Sequence, residues 1–284
     1  MADTKAKIGV VGAGLMGAEI ALVHALAGHD VLLADRDEPS LARAIARLRD
    51  ILEKGVARGF WEANAADPAI GRIATTTDLA RFADRAVVVE AVFESEPVKA
   101  EVWKTLDRAC APGTIFATNT SSISISTLAS HVAAERRPFF IGMHYFSPVS
   151  RMKLVEIIPA FDTAEATIAA ATRLAKDTGK TPIRVKDVVG FAVNRVLTAF
   201  LIEAVKLVEE GVATPADIDL ACRLGLGHPM GPFELMDAVS SSLALEVQEI
   251  LFDAYGERFR PPALMKQMVK AGRVGRKAGK GWRG

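Results

Sequence analysis

Residues 8–17 read Ile-Gly-Val-Val-Gly-Ala-Gly-Leu-Met-Gly, and eighteen residues beyond Gly17 an acid, Asp35, closes the run Val31-Leu-Leu-Ala-Asp. Gly12, Gly14 and Gly17 make the spacing G-x-G-x-x-G between a short apolar strand over 8–11 and a helix over 15–27. Each glycine has its own physical reason. Gly12 permits a tight turn, Gly14 lets the backbone approach a pyrophosphate, and Gly17 lets the helix pack on the strand. Leu15 and Met16 begin the helix, whose unpaired N–H groups and partial positive charge suit phosphate. The second strand, 30–35, delivers the Asp35 carboxylate, which accepts bonds from ribose hydroxyls and repels a 2′-phosphate. The unit predicts a dinucleotide site that prefers NAD to NADP. Arg36 qualifies this, because an arginine there can hold the extra phosphate. A glycine-rich turn with no ligand is the alternative reading.

Outward from this unit, strand and helix patterns alternate. Residues 37–59 form a helix with Pro39 in its first turn and Gly59 at its end. Strands are expected at 87–92, 115–118, 139–143, 154–158 and 183–185, with helices over 97–109 and 163–178. Strands alternating with helices predict a Rossmann-type, doubly wound, mostly parallel sheet covered on both faces. From 190 onward no strand pattern stands out. Helices fit 191–210, stopped by Gly211, then a start at Thr214-Pro-Ala-Asp217, then 232–255 and 261–271. The expected division is an α/β domain over 1–187 followed by an all-helical domain over 188–284.

The formal net charge of +1 provides no global basic field for nucleic acid. Two cysteines, Cys110 and Cys222, make neither a disulfide framework nor a metal-ligand cluster. No apolar run approaches the ~20 residues that span a bilayer. The first strand is reached by Ile8, which leaves no room for a signal peptide, and a cytoplasmic location is expected.

Candidate chemistry lies at strand ends. Thr118-Asn-Thr-Ser-Ser122 directly follows the strand over 115–118, where ligands bind in open α/β sheets. An isolated run of this kind also reads as an ST-turn or a helix cap. His144 ends an apolar strand, a place where a histidine is more often structural. Glu156 lies within Leu154-Val-Glu-Ile-Ile158, and a carboxylate there is costly to bury without a partner. An imidazole would supply one. A His held by a Glu suits the removal of a hydroxyl proton as hydride leaves carbon. Asn194 is a further polar side chain in an apolar stretch.

Taken together, these motifs resemble the L-3-hydroxyacyl-CoA and 3-hydroxybutyryl-CoA dehydrogenases. The matching segments are Gly12–Gly17, Val89-Glu-Ala-Val-Phe-Glu94, Asn119-Thr-Ser-Ser122, Gly142-Met-His-Tyr-Phe-Ser-Pro148, Lys153-Leu-Val-Glu-Ile157, Gly190-Phe-Ala-Val-Asn-Arg195, Pro229-Met-Gly-Pro-Phe-Glu234 and Gly275-Arg-Lys-Ala-Gly-Lys-Gly281. The resemblance implies NAD-dependent, reversible oxidation of (S)-3-hydroxyacyl-CoA to 3-oxoacyl-CoA, in fatty-acid β-oxidation or related acyl-CoA metabolism. It implies His144 as general base, Glu156 as its orienting partner, Ser121 beside the substrate hydroxyl and cofactor, and Asn194 completing the site. Asp35, Glu94, Lys99 and Lys277 match positions that contact NAD. Lys54 and Arg58 match a basic helix face that meets the CoA moiety, and two cations at i, i+4 suit its phosphates; an ordinary solvated helix face is the alternative. The C-terminal domain resembles a dimerisation unit that also supplies part of the substrate cleft, so a homodimer is expected.

The chain departs from the common pattern in places. Ser147 stands where many relatives have Asn, a form that with Tyr255-Gly-Glu-Arg-Phe259 is closer to the dehydrogenase part of multifunctional fatty-acid oxidation α-subunits. Val189 precedes Gly190 where proline is common. Two rival readings keep the fold: a gulonate- or carnitine-type dehydrogenase acting on a hydroxy acid without CoA, and a non-catalytic NAD(H)-binding structural protein.

Overall fold

The computed structural model describes residues 5–283. The reading of the N-terminal run falls partly on residues 1–4, and the chain's last position is residue 284; both lie outside the described residues. The chain separates into two compact units, Met1–Asp187 and Val188–Gly284. Among the described residues no helix is long and apolar enough to cross a membrane.

The first unit holds strands β1 (Lys7–Val11), β2 (Asp30–Ala34), β3 (Ile73–Thr76), β4 (Val87–Glu90), β5 (Ile115–Thr118), β6 (Phe140–Tyr145), β7 (Leu154–Pro159) and β8 (Thr181–Arg184). Its helices are α1 (Leu15–Leu26), α2 (Glu38–Ala57), α3 (Ala66–Gly71), α4 (Glu96–Ala109), α5 (Ile125–Ala129) and α6 (Glu165–Asp177). The strands form one sheet in the order β3-β2-β1-β4-β5-β6-β7-β8. Every neighbouring pair is parallel except β6 with β7. The carboxyl ends of β1, β2, β4, β5 and β6 therefore share one end of the sheet, where the glycine loop follows β1, Asp35 follows β2, Glu94 follows β4, Ser121 follows β5 and His144 lies near the end of β6.

The elements form for local reasons. Strands β4 and β6 are buried along their whole length, as expected of strands covered on both faces. Gly17 through Ala25 of α1 are all buried, so this helix is enclosed rather than amphipathic. Asp37 caps α2 by accepting from Ser40 N at 2.7 Å, and Pro39 sits in its first turn. Trp103 of α4 anchors the sheet's other face. It is fully buried, stacked on Phe116 and edge-on to Phe140 at about 5 Å between ring centroids.

The last residue of this unit is tied back into it. Asp187 accepts from Ser124 Oγ (2.8 Å), Ile125 N (3.0 Å) and Ser126 N (2.8 Å), and so closes the amino end of α5.

The second unit contains α7 (Val193–Glu209), α8 (Pro215–Gly225), α9 (Pro232–Val239), α10 (Ser241–Tyr255) and α11 (Ala263–Lys270). Thr214 Oγ1 caps α8 by accepting from Asp217 N at 3.2 Å. The expected single helix over 232–255 is two helices. Ser240 breaks it at φ 130°, and Ser241 N donates to Val274 O at 3.0 Å instead of continuing the helical ladder. The segment 274–282 packs against this break, with Trp282 N on Asp237 Oδ1 at 2.9 Å. The expectation also passed over β3, a half-exposed edge strand of four residues.

Candidate active site

The antiparallel pairing of β6 with β7 sets His144 directly opposite Glu156. Opposed residues of such a pair share one face of the sheet, with Cβ atoms about 5 Å apart. The side chains meet: His144 Nδ1 lies 2.8 Å from Glu156 Oε2. Glu156 is fully buried and His144 nearly so. The other ring nitrogen, Nε2, lies 3.1 Å from Ser121 Oγ. The Phe146 ring packs on the imidazole at 4.6 Å between centroids.

Ser121 is placed by a network that starts at the end of β4. Glu90, fully buried, accepts from Lys99 Nζ (2.6 Å) and Val92 N (2.8 Å) on one oxygen and from Thr118 Oγ1 (2.7 Å) on the other. Lys99 is itself buried and reaches Glu94 Oε2 at 3.2 Å. Glu94 Oε1 then accepts from Thr120 Oγ1 (2.6 Å), Ser121 N (2.8 Å), and Ser122 N and Oγ (both 3.0 Å). Burial pushes the Glu94 carboxyl up, but the Lys99 charge and these hydrogen bonds outweigh it and hold it below its ordinary value. Asn119 Oδ1 accepts from Tyr145 N at 2.8 Å, which ties the serine segment to the strand of His144.

The glycine loop is closely packed at Gly12 and Gly17 and open at Gly14. A Cβ on Gly12 would lie 2.5 Å from the Ala91 carbonyl oxygen, and one on Gly17 would lie 1.8 Å from that of Gly12, so the loop admits only glycine there. Gly12 also sits at φ +102°. At Gly14 a Cβ would meet nothing within 4 Å, so this stretch of backbone faces open space in front of α1. Leu15 and Met16 follow as the first residues of α1. Asp35, half-buried just past β2, accepts from Ala13 N at 2.6 Å and Arg36 N at 2.8 Å. The Arg36 side chain turns to Asp37 at 3.2 Å and is otherwise exposed.

The remaining candidates lie on other elements. Lys54 and Arg58 lie exposed at the end of α2, and Lys54 pairs with Asp50 at 2.7 Å. Asn194 is in the first turn of α7, and Lys277 is exposed in the short turn Arg276–Ala278; both belong to the second unit.

Residues 7–188 match the model of the NAD-binding domain of 3-hydroxyacyl-CoA dehydrogenase, and residues 190–283 that of its C-terminal domain. The chain belongs to the 3-hydroxyacyl-CoA dehydrogenase family. It is 42% identical to a probable 3-hydroxybutyryl-CoA dehydrogenase of Deinococcus radiodurans, over 97% of this chain and 99% of that protein. It is 40% identical to the mitochondrial hydroxyacyl-coenzyme A dehydrogenase of Sus scrofa, over 96% of this chain and 89% of that one. The crystal structure of (S)-3-hydroxybutyryl-CoA dehydrogenase from Ralstonia eutropha superposes with a TM-score of 0.93 at 36% identity, covering 98% of both chains.

Sequence reasoning gave Glu90 and Thr120 no role of their own, yet both brace the segment that carries Ser121. The signal for Glu90 was the one used for Glu156, a carboxylate in an apolar run, here Val87-Val-Val-Glu90. Lys99, whose position matches one that contacts NAD, is buried as the cation between two carboxylates, Glu90 and Glu94.

Proposed function

We propose that the protein oxidises the 3-hydroxyl group of an (S)-3-hydroxyacyl-CoA to a ketone, reversibly and with NAD as cofactor. One observation carries this reading: Ser121, His144 and Glu156 form a hydrogen-bonded line at the end of the sheet that also bears the glycine loop. The tautomer with its proton on Nδ1 donates to Glu156 Oε2 and leaves a lone pair on Nε2, facing Ser121. His144 Nε2 then takes the hydroxyl proton as general base. Glu156 keeps the ring oriented and offsets the charge it gains. Ser121 positions the hydroxyl oxygen, and Asn194 is the proposed fourth group. Glu94 holds Ser121 by its backbone N–H, and Lys99 acts through Glu94. When bound, NAD⁺ supplies the hydride acceptor. The N–H groups at Gly14 and the start of α1 and the Asp35 carboxylate are the groups that would hold it, and the open backbone at Gly14 fits that role. Lys54 and Arg58 are proposed to meet the CoA phosphates, with Lys54 exchanging Asp50 for phosphate. Lys277 is proposed as a further cofactor contact.

The second unit is proposed to form a homodimer. Leu220 and Leu224, one turn apart on α8, are 46% and 79% exposed, and Val196 on α7 is 72% exposed. Buried free thiols at Cys110 and Cys222 suit the reducing cytoplasm, the proposed location.

The test is NADH consumption with acetoacetyl-CoA and longer 3-oxoacyl-CoA thioesters, set beside NADPH and beside gulonate and carnitine with NAD⁺. Turnover of the thioesters with NADH is expected. Turnover of the free hydroxy acids alone would overturn the substrate assignment, and NADH binding without turnover of any substrate would favour a structural protein.

A further inference from the structure

Helix α2 sends one more side chain to the glycine loop. Arg47 Nη2 donates to the Gly14 carbonyl at 2.7 Å and to the Ala13 carbonyl at 3.2 Å. On its other side, Ala13 donates its N–H to Asp35 at 2.6 Å. Residue 13 is thus gripped from both ends by side chains of opposite charge. A trans peptide points its N–H away from its C=O. A guanidinium fixed on the Ala13 carbonyl therefore turns the Gly14 N–H to the opposite side, and its bond to the Gly14 carbonyl does the same for the Leu15 N–H. First-turn N–H groups have no partner within their own helix. Arg47 is half-buried, and its Nε is buried without a hydrogen-bond partner. The guanidinium has given up solvation there, and what it gains in return is the loop. The two N–H bonds on Nη2 lie in the fixed plane of the guanidinium, one for each carbonyl.

We infer that Arg47 is a positioning residue for the cofactor's diphosphate: it fixes the Ala13 and Gly14 carbonyls so that the Gly14 and Leu15 N–H groups stay aimed at the phosphates, and it adds a positive charge behind them. This rests on the NAD reading above. It predicts an effect confined to ligands that carry phosphate.

The experiment is NADH fluorescence titration of wild type, Arg47→Met and Arg47→Lys, with ADP and adenosine as competitors. In Arg47→Met, NADH and ADP should each weaken by about tenfold, the scale of one charged hydrogen bond, while adenosine keeps its affinity. Arg47→Lys should recover part of the loss. In turnover the loss should fall on KM for NAD⁺ rather than on kcat. Equal NADH affinity in wild type and Arg47→Met overturns the inference, and so does an adenosine loss as large as that of ADP, which marks general collapse of the loop. Where Arg47→Met fails to fold, Arg47→Gln carries the test with the same outcomes. Wild-type protein that fails to bind NADH overturns the cofactor reading and this inference with it.

Discussion

Glu156 brings a carboxylate into the middle of an apolar strand, and His144 across the ladder is what makes that tolerable. A buried carboxylate without a partner is strongly unfavourable, and removing one member of a buried pair leaves the other stranded. His144→Ala should abolish turnover while NADH binding, followed by fluorescence, is retained. Glu156→Gln should lower kcat by roughly two to four orders of magnitude, because the ring loses both its tautomer and its compensating charge. Both residues were legible in the sequence, each as a polar side chain in an apolar run. Which nitrogen faces Ser121 was not, since that depends on the pairing of two strands. A second histidine behaves differently. His24 is wholly buried on α1, with Nε2 3.3 Å from the Tyr145 hydroxyl. Burial, aided by the charges of His29 and Lys180, pushes its pKa down from 6.5 to about 3. The unfolded chain therefore binds a proton that the folded chain refuses between those values. Stability is full above pH 6.5 and falls as the pH drops below it, by at most about 1.4 kcal/mol per pH unit for one proton. Thermal melts from neutral to mildly acid pH should show this decline, and His24→Gln should flatten it. An equally steep decline in the variant would assign the effect to other groups.

Elements decide what single residues cannot. The chain between β6 and β7 covers only residues 146–153, too short for the crossover of a dozen or more residues that parallel strands need. Their antiparallel pairing was thus available from strand spacing, and with it the register that opposes His144 and Glu156. A slip of one residue in either strand would turn one partner to the opposite face. The alternation of strand and helix was legible because buried strands are continuous apolar runs. Strand β3 was not, since Ile73-Ala-Thr-Thr is short and half-exposed. The break at Ser240 was not either, because the residues that hydrogen-bond across it, 274–282, lie far along the chain. Glu90 and Lys99 join β4 to α4, and through Thr118 to β5. Lys99→Met leaves Glu90 buried without its cation and should destabilise the protein by about 3–5 kcal/mol in urea titration. It should also loosen Glu94, and so raise KM for the cofactor in whatever fraction stays folded. Full stability in Lys99→Met would show that the pair is dispensable.

At the scale of the whole molecule, the order of the motifs was enough to point to the family, because it runs through both units. Association of chains was not readable from periodicity, since an apolar helix face can serve a core or a partner equally well. Leu224 offers a direct test. Leu224→Glu places a charge on an exposed apolar position and should convert a species of about twice 30.3 kDa into monomer in sedimentation; a wild-type protein that is already monomeric would sink the dimer. Asp187 bears on how the two units can be treated as parts. It ends the first unit, yet its carboxylate holds the amino end of α5, and residues 124–126 lie a few positions after Ser121. In a chimaera that exchanges the second unit for a relative's, the seam therefore belongs after Asp187. Joined two residues earlier, the graft would inherit its partner's residue at that position, and the segment that follows Ser121 would depend on the donor for its support.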